Sequence, residues 1–130
     1  MHSVVICASN KFGKEALAFA EKLRRHGVVV FTPHFYTTAG GDWKAVGEFD
    51  KKFVALGLTH DHFYKIRMAD VIFVYNKGGY SGISVSMEIG YAVALNKPVY
   101  ALSGEDAEIC RGNLFSDICA TSKALLTKLK

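Results

Sequence analysis

Short β-branched runs separated by stretches of helical periodicity constrain this chain more than any other feature. The runs are Val4 to Cys7, Val28 to Phe31, Val71 to Tyr75 and Val99 to Leu102. The third is apolar on both faces, as a central parallel strand is when helices cover it above and below. After the first run, Ala16, Leu17, Phe19, Ala20 and Leu23 keep one helical face apolar, and Glu15, Glu21, Lys22, Arg24 and Arg25 cover much of the rest. Gly27 stops that helix, with Arg24, Arg25 and His26 in a last turn where the macrodipole favours cations. Thr32-Pro33 closes the second strand, and Phe35 to Asp42 reads as loop. Helical signals then run from about Trp43 to Leu56, break at Gly57 and resume at Thr59 or His60. A further helix spans about Ser84 to Asn96. Ile118-Cys119-Ala120 offers a short fifth strand, and Ser122 to Leu129 a closing helix.

Strands alternating with helices build a parallel sheet with right-handed crossovers. The expectation is an α/β fold: a three-layer, doubly wound, five-stranded parallel sheet, flavodoxin/Rossmann-like, forming a single domain over residues 1–130. Such sheets bind ligands beyond the carboxyl ends of their strands, at the switch point. Here that crevice lies between strands one and three, where Ala8 to Gly13 meets Asn76 to Ser86.

Composition narrows the function classes. Half of the 130 residues are hydrophobic, enough for one packed core. The net charge of +4 is scattered, with no dense basic stripe of the kind a nucleic-acid groove needs, so no nucleic acid polymer is expected as partner. Cys7, Cys110 and Cys119 are an odd set without zinc spacing or a disulfide framework, which points to a reducing compartment. No signal-peptide pattern opens the chain and no apolar run approaches a membrane span. A cytoplasmic protein without a membrane partner is expected.

The residue that stands out is Glu88, alone in a helix otherwise uncharged from Ser81 to Asn96. A lone buried carboxylate is costly unless paired. It is either the helix's one wet edge, a structural hydrogen bond to a neighbouring turn, or a desolvated cleft carboxylate able to act as nucleophile, base or clamp on sugar hydroxyls. Ahead of it, Gly78-Gly79-Tyr80-Ser81-Gly82 followed by Ser84 and Ser86 places backbone N–H groups and hydroxyls at a helix N-terminus, a geometry that binds anions. Ser9, Asn10 and Lys11 offer a hydroxyl, an amide and a cation from the facing turn, or simply cap the first helix. Asp70 at the start of strand three reads as a cap or turn residue. His60 and His62 flank Asp61, but a metal site needs a third ligand and none is near in sequence, so no metal is expected. Tyr36, Trp43 and Tyr80 are loop aromatics able to stack on a base or to serve as packing lids. The apolar Ser84 to Asn96 helix has too little polar surface to face water, which predicts a homodimer or larger homo-oligomer.

Ala69-Asp70-Val71-Ile72-Phe73-Val74-Tyr75-Asn76, Gly78 to Gly82, Ser86-Met87-Glu88-Ile89-Gly90-Tyr91-Ala92 and Asn96-Lys97-Pro98-Val99-Tyr100 together resemble the nucleoside 2-deoxyribosyltransferase superfamily, which includes the nucleoside 5′-monophosphate N-glycosidases. The resemblance runs from about Val4 to Leu102. It implies that Glu88 is the catalytic nucleophile and that Asp70 contacts base or sugar. It also implies that Ser9 and Lys11 hold a substrate phosphate, with Gly79, Ser81, Gly82, Ser84 and Ser86 forming the rest of the substrate loop. A nucleoside or nucleotide would be the small-molecule partner, and no cofactor is implied. The chain departs from the family where Gly82 replaces an aspartate six residues before the nucleophile and where Val5 stands for a strand-one tyrosine. A C-terminal segment that closes a neighbour's site is short here. These departures tilt the expectation from base exchange toward hydrolysis of a phosphorylated substrate. The rival is a non-catalytic nucleotide-binding or sensor module on the same fold.

Overall fold

The computed structural model describes residues 2–35 and 46–130. Trp43, Tyr36 and the loop expected up to Asp42 lie outside the described residues. Five strands, β1 (Ser3–Cys7), β2 (Val29–Phe31), β3 (Val71–Val74), β4 (Val99–Ala101) and β5 (Asp117–Ile118), form one sheet in the order β2-β1-β3-β4-β5. Every pairing is parallel, with Val5 opposite both Phe31 and Ile72. The chain moves outward from β1 to β2, then returns past β1 to β3. The direction reverses there, so the crevice falls between β1 and β3, as expected.

Side-chain alternation sorts the core into two layers. Val4 and Ile6 of β1 join Phe73 of β3, Phe19 and Leu23 of α1 (Gly13–Arg24) and Leu125 of the last helix, α5 (Ser122–Lys128). The rings of Phe19 and Phe73 stack at 4.5 Å. On the other face Val5, Cys7, Ile72 and Val74 pack against Ile66 of α2 (Glu48–Met68) and Val85 and Ile89 of α3 (Ile83–Ala94). Burying each such aliphatic side chain is worth about 1.5–3 kcal/mol, which is why the central strands carry no polar residue after Ser3.

Punctuation explains most element ends. Gly27, at φ +79°, follows α1 in the left-handed conformation expected of it. Arg24 then reaches over the end of α1 and donates to the Val30 carbonyl at 2.8 Å. Asn96, at φ +58°, ends α3 before Lys97-Pro98. The break expected at Gly57 does not occur, because α2 runs unbroken through it. A glycine costs only about 1 kcal/mol in a helix interior, and nothing lies within 4 Å of the Cβ position at Gly57 to demand a turn. The fifth strand is shifted toward the N-terminus of its expected span. Asp117 and Ile118 form the ladder, while Cys119 adds one more bond to the Ala101 carbonyl at 2.8 Å. Ser103 to Arg111 reads from the sequence as polar loop or a short turn of helix, and a four-residue helix, α4 (Ile109–Gly112), forms at its end.

A helix this short of polar residues is expected to be buried on both sides or to lie in a subunit interface; in the single chain one side of α3 is covered. Val85, Ile89 and Ala92 face the sheet, whereas Ile83 and Met87 are 85% and 50% exposed in the single chain. Among the described residues no helix is long and apolar enough to cross a membrane.

Candidate active site

A cavity of about 350 Å³ opens at the carboxyl ends of β1 and β3. Four segments wall it: the turn after β1 with Ser9, Pro33 and His34 after β2, the middle of α2 from Leu58 to Phe63, and the stretch from Tyr80 to Glu88 that leads into α3. The turn is fixed locally. Ser9 caps a 3-10 turn (Asn10–Phe12), its Oγ accepting the Lys11 N–H at 3.3 Å and its carbonyl the Phe12 N–H at 2.9 Å. Gly82, the N-cap of α3, brings its backbone against Ser9; a Cβ there would lie 4.0 Å from the Ser9 hydroxyl. Among the described residues no side chain caps α3, and Ile83, Ser84 and Val85 of its first turn line the cavity.

Glu88 projects from the second turn of α3 into this cavity with its side chain only 13% exposed. Burial pushes its carboxyl up to about 7, and a hydrogen bond from the Cys7 thiol opposes that only in part. Glu88 is thus a largely buried carboxylate rather than one at a wet helix edge. His62, on the facing side of α2, is buried with Nε2 3.5 Å from Glu88 Oε1 and 3.4 Å from Cys7 Sγ. Burial, reinforced by Lys65, pulls His62 down to about 4, so the imidazole is neutral at pH 7. Among the described residues its Nδ1 has no hydrogen-bond partner. An unpaired buried N–H costs more than an unpaired lone pair, so we assign the ring proton to Nε2, between the sulfur and the carboxylate. The Cys7 thiol is raised well above its ordinary value by burial and by Glu88 and stays protonated.

The expected loop residues divide. Ser84 lies exposed on the cavity wall, and the Ser81 hydroxyl is buried without a partner. Ser86 belongs to the scaffold: its hydroxyl donates to the Gly82 carbonyl at 3.3 Å and accepts from Arg111 Nη1 at 2.9 Å. Arg111 is itself gripped by both oxygens of Asp106, with the closest contact at 2.7 Å. Burial pulls the Asp106 carboxyl upward, but the Arg111 hydrogen bonds, the Glu108 N–H and the Arg111 charge together outweigh it and hold it below the usual range. Gly79 is also scaffold. It sits at φ +81°, and a Cβ there would fall 1.4 Å from the Glu105 carbonyl oxygen. Lys11 stands at the rim rather than on the wall, its Nζ 4.8 Å over the ring of Tyr80, which does line the cavity.

Asp70 is not brought to the cavity. It lies at the amino end of β3, about 13 Å of strand away from the carboxyl ends. There its carboxylate accepts the Ser3 N–H at 2.9 Å and the Ser3 hydroxyl at 3.2 Å, tying β3 to the start of β1. The backbone bond from Ser3 is the main reason its carboxyl is held low. The strand direction accounts for this placement: the first residue of a parallel strand faces the end opposite the switch point.

Two site residues were not singled out from the sequence as cavity partners of Glu88. Cys7 sits in an apolar strand run and reads as core; the His60–Asp61–His62 cluster reads as the start of a helix with one side chain reaching the cleft, and the structure puts it in the middle of α2 with His62 on the cavity wall. Period-two alternation along β1 places Cys7 on the α2/α3 face with Val5, so that signal was present. His62 depends on the register of α2 over the sheet, which no local pattern carries.

At the level of sequence, no family model and no curated protein matches the chain. Solved structures do share its fold. The 2-deoxyribosyltransferase from the psychrotolerant bacterium Bacillus psychrosaccharolyticus aligns over 95% of this chain and 89% of its own, with a TM-score of 0.61 and 18% identity. A conserved protein from Enterococcus faecalis V583 aligns over 99% of this chain and 97% of its own, with a TM-score of 0.58 and 17% identity. The chain thus has the α/β fold of a 2-deoxyribosyltransferase structure, in agreement with the resemblance carried by its motifs.

Proposed function

We propose that this protein cleaves or transfers the N-glycosidic bond of a nucleoside or nucleoside 5′-monophosphate, with Glu88 as nucleophile. The observation that carries the proposal is a desolvated carboxylate in the wall of the switch-point cavity. A Glu88 oxygen attacks C1′ of the sugar, the C1′–N bond breaks, and the base leaves with the bonding pair and takes up a proton. Water, or a second base, then attacks C1′ and frees Glu88. The transition state is oxocarbenium-like, so a carboxylate beneath the ring stabilises it electrostatically. The neutral His62 Nε2–H, 3.5 Å away, orients Oε1 without neutralising it. Hydrolysis of a monophosphate is the preferred form. The open first turn of α3, with Ser84 and Ser9 on the wall, provides donors for a phosphate, and Lys11 at the rim adds a positive charge.

A homodimer or larger closed assembly belongs to the same proposal. Ile83 and Met87 lie beside the cavity and are exposed in the single chain, so a neighbouring copy on α3 would cover them and narrow the mouth. The test is base release from a panel of nucleosides and their monophosphates by wild type and Glu88→Ala. Loss of release with retained nucleotide binding is expected. Wild-type turnover by the variant sinks the nucleophile role, and thermal stabilisation by nucleotides without any turnover by wild type would favour a binding module.

A further inference from the structure

The third ligand missing from the neighbourhood of His62 in sequence is supplied by the fold. We propose that Cys7, His62 and Glu88 bind a thiophilic divalent cation, Zn²⁺ or its congener Cd²⁺, and that the bound cation takes Glu88 out of action. The binding half stands on the cluster alone; the inhibitory half rests on the function proposed above.

One sulfur, one nitrogen and one carboxylate oxygen from β1, α2 and α3 all lie within 4.8 Å of one another. Ordinary zinc bond lengths set the edges of a tetrahedral site at about 3.6 Å between sulfur and nitrogen and about 3.4 Å between nitrogen and oxygen. The observed separations are 3.4 Å from Cys7 Sγ to His62 Nε2 and 3.5 Å from His62 Nε2 to Glu88 Oε1. Two of the three edges therefore already match a tetrahedral site, and the third, from Cys7 Sγ to the Glu88 carboxylate, lies within 4.8 Å. His62 and Glu88 line the cavity, so the fourth position faces it and is open to water.

Charge and softness argue the same way. No lysine or arginine among the described residues neutralises Glu88, and a divalent cation would balance one thiolate and one carboxylate. On binding, the Cys7 thiol proton leaves and a sulfur–metal bond forms, with His62 Nε2 turning its lone pair to the metal and its proton moving to Nδ1. A sulfur and an imidazole select Zn²⁺ and Cd²⁺ over Mg²⁺ and Ca²⁺. Because Nδ1 has no outer partner to fix the ring, affinity should fall below that of a structural zinc site.

The experiment titrates the metal-free chain with Cd²⁺ and follows the thiolate-to-cadmium charge-transfer band in a Cys110→Ser background, which removes the exposed thiol. The band should saturate at one cation per chain, be reversed by Zn²⁺, vanish in Cys7→Ser, and need more than about tenfold higher Cd²⁺ in Glu88→Gln. If Cys7→Ser does not fold, Glu88→Gln on the cavity wall still decides. Absence of a saturable band overturns the proposal, as does a band that survives Cys7→Ser or is unweakened by Glu88→Gln. In parallel, one equivalent of Zn²⁺ should abolish base release and a chelator should restore it. Undiminished turnover with metal bound overturns the inhibitory half. No turnover by the metal-free chain refutes the glycosidase reading while leaving the cation site standing.

Discussion

Replacing Glu88 by Gln should make the protein more stable in alkaline solution and leave it nearly unchanged in acid. The reasoning is proton linkage. In the unfolded chain a glutamate titrates near 4.5; in the folded chain burial holds Glu88 near 7. The native state therefore prefers the protonated form, and between these two values it binds more protons than the unfolded state. Stability contributed by this carboxyl is present below 4.5 and is lost as pH rises to 7. One pKa unit corresponds to about 1.36 kcal/mol, so the loss at pH 8 is about 3 kcal/mol. Glutamine carries no charge at any of these pH values and escapes it.

The assay is urea unfolding of wild type and Glu88→Gln at several pH values from 4 to 8.5, with a chelator present. His62 contributes with the opposite sign. It is lowered to about 4 from an ordinary 6.5, so its contribution is present above 6.5 and is lost as pH falls toward 4. Both proteins keep His62, so comparing the two curves removes its effect to first order. The expected stability advantage of Glu88→Gln grows by about 3 kcal/mol from pH 4.5 to pH 8. Curves that stay parallel to within about 1 kcal/mol would refute the burial argument, and with it the picture of a desolvated nucleophile.

Further predictions follow from the same geometry. If Glu88 attacks as a carboxylate, kcat/KM for base release should rise with pH through an apparent pKa of about 7 and then level off; a profile flat from pH 5 to 8 would remove Glu88 from the chemical step. Arg111→Ala leaves Asp106, whose side chain is 2% exposed, as an unpaired buried charge and should cost about 3–5 kcal/mol in urea unfolding. Gly79→Ala drives a methyl group into the Glu105 carbonyl and demands a left-handed conformation, so a loss of at least about 2 kcal/mol is expected; a neutral result would mean that the Glu105 backbone does not cross the loop as described.

What could be read from the sequence, and what could not, follows from the range of the interactions involved. The strands were legible because both faces of β1 and β3 are covered, which leaves unbroken β-branched runs such as Val71 to Val74. Gly27 and Asn96 marked helix ends because a left-handed residue is a local requirement. Gly57 misled for the same reason: it carries a local cost but no local instruction, and a 21-residue helix absorbs it. Glu88 was legible as an anomaly, a carboxylate in a helix with no other charge. Its environment was not. Cys7 reaches Glu88 from residue 7 and His62 from residue 62, and that meeting depends on how α2 and α3 settle over the sheet. The scaffold of the loop is equally non-local. Arg111 and Asp106 look like surface charges in sequence, yet folding places them against the start of α3, where Arg111 holds the Ser86 hydroxyl. A hydroxyl whose proton is already given to the Gly82 carbonyl is poorly placed to donate to a phosphate oxygen as well. Ser84, with its side chain free on the cavity wall, is therefore the serine of α3 through which any phosphate preference should act.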